Sequence, residues 1–143
     1  MKKLIVIFAV VLLSLCGCQN VFYDDELDYQ WRLDRIEYVS GRDFDGNDIS
    51  VEEKTQCWMS MARDLVVLED LSTSHAIRVI GRFDYDGDSI TFDFSANSNQ
   101  KPLAGQLSHF GLPHIVSPFC ISSLKRNSMV LAGDSTVLHF TRW

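Results

Sequence analysis

"HAIRVIGRFDYDGDSITFDFS", residues 75–95, alternates apolar and polar side chains on both sides of an acidic, glycine-containing break. Successive side chains of a strand point to opposite faces, so a period of two over this length specifies two strands with one dry and one wet face. Taking Asp86-Gly87 as a two-residue turn pairs Phe83 with Ile90, Gly81 with Phe92 and Val79 with Phe94 on the inner face. Arg82, Asp84, Thr91 and Asp93 fall on the outer face. A hairpin that is oily on one side and charged on the other belongs to an antiparallel sheet folded over a core. A glycine opposite Phe92 predicts a kink, or a ring lying across the backbone.

The neighbouring segments extend this pattern. Between 29 and 39, Trp31 and Leu33 share one parity and Ile36 and Tyr38 the other, which predicts a strand with a bulge near Asp34. The loop "SGRDFDGND" (40–48) breaks it. Ser50 with Glu53 has capping-box spacing, and Val51, Thr55 and Trp58 fall near one helical face, so a short helix is expected over 51–59. "RDLVVLEDL" (63–71) reads as a strand. Residues 96–118 lose the period and hold all three prolines; they read as a long connection with a short helix at 103–110, the kind of segment that serves as a lid or binding loop. "PFCISSL" (118–124) and "SMVLAGDSTVLHFTRW" (128–143) resume the strands. The latter is a second hairpin turning at Gly133-Asp134, with Met129, Leu131, Leu138 and Phe140 on one parity. The expected fold is mainly β: a small antiparallel up-and-down barrel or strongly curled sheet with one short helix.

The N-terminus has a different character. Lys2 and Lys3 precede an apolar run over 4–13 and a small-residue close over 14–17, the order of a secretory signal and too short for a comfortable membrane span. Leu15-Cys16-Gly17-Cys18 resembles the lipobox of bacterial lipoproteins. That resemblance implies cleavage of residues 1–17, lipidation of Cys18 and a lipidated tether over 18–28, and Gln19 in place of aspartate implies an outer-membrane address on either the periplasmic or the cell-surface side. Asp24-Asp25-Glu26 is similar to the acidic export tags of surface lipoproteins, and reads equally as a solvated spacer. Trp31, the aromatic hairpins, "LxxFGLP" (107–113) and "VLHFTRW" (137–143) resemble the lipocalin-like domains of Bacteroidota-type outer-membrane lipoproteins over residues 29–143. This implies a lipocalin-like barrel and an envelope compartment, and brings no active site with it.

Loss of residues 1–17 removes Lys2 and Lys3 and leaves 11 basic against 19 acidic side chains, a charge of −8. That balance argues against nucleic acid, which needs clustered cations. In an oxidising compartment the remaining cysteines, Cys57 and Cys120, either pair or stay as two buried thiols. "DFDGND" (43–48) and "DYDGD" (84–88) lack the EF-hand spacing and read as turns rather than calcium loops. His75, His109, His114 and His139 show no metal-ligand spacing, and no nucleophile elbow occurs, so neither metal, cofactor nor catalytic residue is expected. Trp31, Trp58, Phe83, Phe92, Phe94 and Phe140 fall on the expected inner face. They form either a closed core or the wall of an apolar cavity, and a cavity would leave Gly81 room for a larger side chain. The aromatic end, Phe140 to Trp143, also resembles the last strand of an outer-membrane barrel, which the lipobox speaks against. The reading is a non-enzymatic, membrane-anchored domain that binds a small apolar or amphiphilic ligand. The alternative is an interaction module for another envelope protein, with a filled core.

Overall fold

Period-two segments give eight strands: β1 Gln30–Tyr38, β2 Val51–Ala62, β3 Leu65–Asp70, β4 Ile77–Tyr85, β5 Ser89–Asp93, β6 Val116–Leu124, β7 Ser128–Ala132 and β8 Thr136–Arg142. One helix, α1 (Gln100–Ser108), lies between β5 and β6. In this computed structural model, which describes residues 26–143 apart from 73, 75, 98 and 99, each strand pairs antiparallel with the next and β8 returns to β1, closing the barrel. Closure removes the exposed edges that an open sheet would offer. The signal sequence, the lipobox with Cys18, and His75 lie outside the described residues.

The bulge at Asp34 explains the switch of parity in β1. Leu33 pairs with Phe140 and Arg35 with His139, leaving Asp34 as the extra residue facing β8. One added residue turns the following side chains over, so Trp31 and Leu33 before it, and Ile36 and Tyr38 after it, are all buried.

Residues 51–59 are not a helix. They belong to β2, in which Cys57, Met59 and Met61 point inward. In the first half of β2 exposed Val51, Glu53 and Thr55 alternate with half-buried Glu52 and Lys54, so the more buried face is charged rather than apolar and gives no hydrophobic alternation, while Glu, Lys and Gln favour helix as isolated propensities. Pairing with β1 and β3 overrides them. Trp58 therefore lies outside the barrel, against the expectation, and packs edge-on against Trp143 with ring centroids 5.1 Å apart.

The two hairpin turns sit one residue further along than expected. Tyr85 pairs with Ile90 and Phe83 with Phe92, so the central residues of the first turn are Gly87 and Asp88. Gly87 takes φ of +101° at the first central position, as a type II′ turn requires, whereas a turn at Asp86-Gly87 would have forced aspartate into positive φ. Asp86 instead accepts hydrogen bonds from the backbone N–H groups of Asp88 (3.0 Å) and Ser89 (2.8 Å). In the second hairpin Ala132 pairs with Val137 and the turn centres on Asp134 and Ser135. Each pairing slips by two residues, so every side chain keeps its predicted face.

The interior is filled. Ile36, Val66, Leu68, Ile90, Phe92, Phe94, Leu107, Met129, Leu131 and Leu138 have no accessible surface even to a water-sized sphere. The outer wall carries Arg78 beside Glu69 (3.4 Å) and Arg35 beside Glu37 (3.5 Å). Both pairs lie toward the end where β1 finishes, so the wall is polar there.

Candidate functional site

The two ends of the barrel are closed by different devices. At the end where β1 finishes, α1 and the residues after it form a plug. Gly111 adopts φ of +73° and its N–H donates to the Ser108 carbonyl (3.1 Å), while the Leu112 N–H donates to the Leu107 carbonyl (3.2 Å). This pair of bonds is a Schellman stop, and the buried side chains of Leu107 and Leu112 supply its usual apolar contact. The "LxxFGLP" stretch is thus a helix terminator that drops Leu107, Phe110 and Leu112 into the barrel. Thr136 Oγ1 donates to the Gly111 carbonyl (2.6 Å) and ties the plug to β8. Leu103, Leu107, Phe110 and Leu112, within the connection expected as a lid or binding loop, are core residues.

Beneath the plug lie a thiol, a carboxylate and an imidazole. Cys57 and Asp70 are cross-strand partners, and Asp70 Oδ2 lies 3.3 Å from His109 Nδ1. Burial, and next the charge of Asp70, push the Cys57 thiol up to about 12. Burial also works to raise Asp70, but hydrogen bonds from the Ser72 side chain and backbone, with the charges of His109 and Lys54, outweigh it and hold the carboxyl below its ordinary range. A nucleophilic thiol needs the opposite electrostatics, a depressed pKa beside a base. Here the carboxylate faces the sulfur and works against thiolate formation.

The other end is the one at which β1 begins. Leu27 and Trp31 close the core there, and the Trp31 Nε1–H donates to the Leu27 carbonyl (3.3 Å). Above them a cleft of about 480 Å³ is lined by Glu26, Tyr29, Tyr85, Gly87, Leu124, Lys125, Arg126 and Arg142. Tyr29, Tyr85 and Arg142 hold the inward parity of β1, β4 and β8 one step past the last filled layer, and Leu124, opposite inward-facing Met129, does the same for β6. Arg142 lies flat over Tyr29, its Cζ 3.2 Å from the ring centre, and donates from Nη1 to the Arg126 carbonyl (3.3 Å). Tyr85 donates to Glu26 (3.2 Å), and burial followed by the Glu26 charge raises its phenol pKa.

A family model for the lipocalin-like domain matches residues 11–143. The chain belongs to this lipocalin-like domain family. Two solved structures resemble it: a lipocalin-like protein from Bacteroides uniformis, with TM-score 0.64 and 18% identity over 82% of this chain and 99% of that one, and an uncharacterized protein from Bacteroides eggerthii, with TM-score 0.60 and 14% identity over the same shares. At these identities the likeness concerns the fold. Comparison with curated proteins gives no match.

Of the side chains expected to line a pocket, Trp31, Phe83, Phe92, Phe94 and Phe140 are buried in this lipocalin-like domain, but as packed core rather than as walls of a cavity. Phe83 reaches a surface opening, a cleft of about 240 Å³ shared with Arg63, Asp64, Asp84 and Tyr85. Trp58 is outside, as noted. Cys57 and Cys120 do not pair: both are free, one buried inside the wall and the other exposed on it. Odd-even alternation puts their sulfurs on opposite faces. His109, His114 and His139 belong to no cluster of three or more possible metal ligands among the described residues. Asp43 accepts from the Asp45 (3.0 Å) and Asn47 (2.8 Å) backbone N–H groups, so "DFDGND" is held as a turn. The sequence reading missed the mouth residues Tyr29, Tyr85, Leu124, Lys125, Arg126 and Arg142; the available signal was their position at strand ends around one rim. Native-state alkylation checks the thiol assignment. Iodoacetamide should modify Cys120 readily and Cys57 only after unfolding, and protection of both without reductant would overturn it.

Proposed function

We propose that the chain is a membrane-anchored, non-enzymatic binding module of the cell envelope that takes up a small amphiphilic ligand at the mouth of the barrel. The observation that carries this reading is the mouth cleft. Inward-facing Tyr29, Tyr85 and Leu124 present ring and alkyl surface beside Arg142 and Lys125, in a space large enough for part of a small molecule. The packed interior speaks for uptake at the mouth rather than inside the barrel, and the raised thiol of Cys57 supports a non-catalytic role. The lipobox-like Leu15-Cys16-Gly17-Cys18 supports attachment through Cys18, with two or three acyl chains making a stable anchor.

The filled interior also favours a second reading, an adapter that holds another envelope protein on its outer face. One preparation separates the two. The chain purified from its host should sit in the membrane fraction, incorporate palmitate and carry a small-molecule mass in native mass spectrometry. Cys18→Ala should abolish the label and release the protein, and Leu124→Asp should remove the bound mass while leaving the label. A persistent protein partner with no bound small molecule would establish the adapter instead.

A further inference from the structure

Resting on the mouth cleft as the binding site, we infer that its ligand carries an anionic head, a phosphate or carboxylate, on an apolar body. The argument starts from how this acidic chain disposes of its cations. Arg32 lies 2.9 Å from Asp34, Arg35 3.5 Å from Glu37, Arg42 3.1 Å from Asp48, Lys54 2.7 Å from Glu52 and Arg78 3.4 Å from Glu69. Arg82 pairs with Asp64. Among the described side chains, Arg63, Lys125, Arg126 and Arg142 have no carboxylate within ion-pair distance, and all four sit at the same end of the barrel. Three of them line the one cleft.

This clustering is not forced by a shortage of partners, since the chain has a net charge of −6. Glu26 stands at the rim of the same cleft but is engaged by the Tyr85 hydroxyl rather than by a cation. Arg142 is already oriented. Its guanidinium is stacked on Tyr29 and fixed by the Arg126 carbonyl, leaving other N–H donors of a planar fork for a ligand oxygen. Lys125 and Arg126, on the turn between β6 and β7, add charge without a fixed geometry. Leu124 and the faces of Tyr29 and Tyr85 offer surface for the first few carbons of an attached chain. Bare anions would find the cations but leave that apolar surface wet, and neutral amphiphiles would cover it while leaving the cations crowded together. An anionic amphiphile satisfies both.

The test uses the mature lipoprotein reconstituted in nanodiscs of zwitterionic lipid, titrated by calorimetry with hexyl phosphate, hexanol and inorganic phosphate. Hexyl phosphate should bind at least about tenfold more tightly than either of the others, and more weakly as salt is raised. Lys125→Gln, an exposed turn substitution, should weaken hexyl phosphate severalfold, Arg142→Gln more so, and Glu26→Gln should strengthen it. Unchanged melting of Lys125→Gln would show that the loss is not unfolding. Equal binding of hexanol, indifferent to Lys125 and Arg142, would overturn the anionic head while leaving the mouth as a ligand site. Equal binding of inorganic phosphate would overturn the apolar body. Binding of none of the three would overturn this inference together with the small-ligand reading on which it rests.

Discussion

Gly81→Leu is expected to destabilise the barrel by about 3 kcal/mol or more, at the upper end of what overpacking a core costs. Gly81 is buried on β4, and the ring of Phe94 lies across it. A Cβ added there would stand 2.4 Å from Phe94 Cδ1, 2.6 Å from Cε1 and 2.8 Å from the backbone oxygen of Asp93. The ring could rotate only into neighbours that are themselves buried, and the carbonyl belongs to β5 and cannot retreat without breaking its strand. Gly81→Ala should already cost about 1–2 kcal/mol for the same reason, with the extra bulk of leucine adding the rest. Urea denaturation of the two variants checks this. Near-neutral behaviour of both would mean that the ring has somewhere to go and that the interior is looser than its packing implies.

The same residue shows how much of the fold was legible in the sequence. Alternation in residues 75–95 placed Gly81 on the inner face and called for either a kink or a ring across it; the inner face holds, and a ring does lie there, that of Phe94 rather than Phe92. Faces are robust because a slip of two residues preserves them, whereas the partner depends on which turn position the glycine takes. The closed barrel and the parity switch at Asp34 were legible for the same reason: both are properties of which side chains are apolar and in what order. β2 was not, because the half-buried positions of its first half are Glu52 and Lys54, so its burial period leaves no apolar alternation to read. Nor was the state of the interior. The aromatics at Trp31, Phe83, Phe92, Phe94 and Phe140 suit a cavity wall and a solid core equally well, and what decides is volume, in particular the plug that the Schellman stop at Gly111 delivers into the barrel. The mouth was hidden too, since its residues are ordinary strand ends and turns until closure of the barrel gathers them around one rim.

Starting the chain at Tyr29 rather than upstream of Glu26 should cost about 3–5 kcal/mol, a large part of the stability of a domain this size. Residues to 28 read as a solvated tether, yet the structure docks them from Glu26 onward. Leu27 is buried to 1% exposure against the core, and removing it forfeits about 2–3 kcal/mol of apolar burial. Its carbonyl accepts from both the Trp31 Nε1–H (3.3 Å) and the Tyr29 N–H (2.7 Å), so truncation strands a buried indole donor at about 1 kcal/mol or more. Asp28 accepts from the backbone N–H of Arg63 (2.9 Å), a non-glycine residue with φ of +59°, and so steadies the turn between β2 and β3. Thermal unfolding of the two chains measures the difference; a loss under about 1 kcal/mol would show that the segment merely rests on the barrel. Because the entering segment is part of the core and Glu26 lines the cleft, the mouth is bound to the point where the chain arrives from Cys18, eight residues earlier. Eight extended residues reach at most about 29 Å, so a lipid on Cys18, as proposed above, would lie within that distance of Glu26 at the mouth.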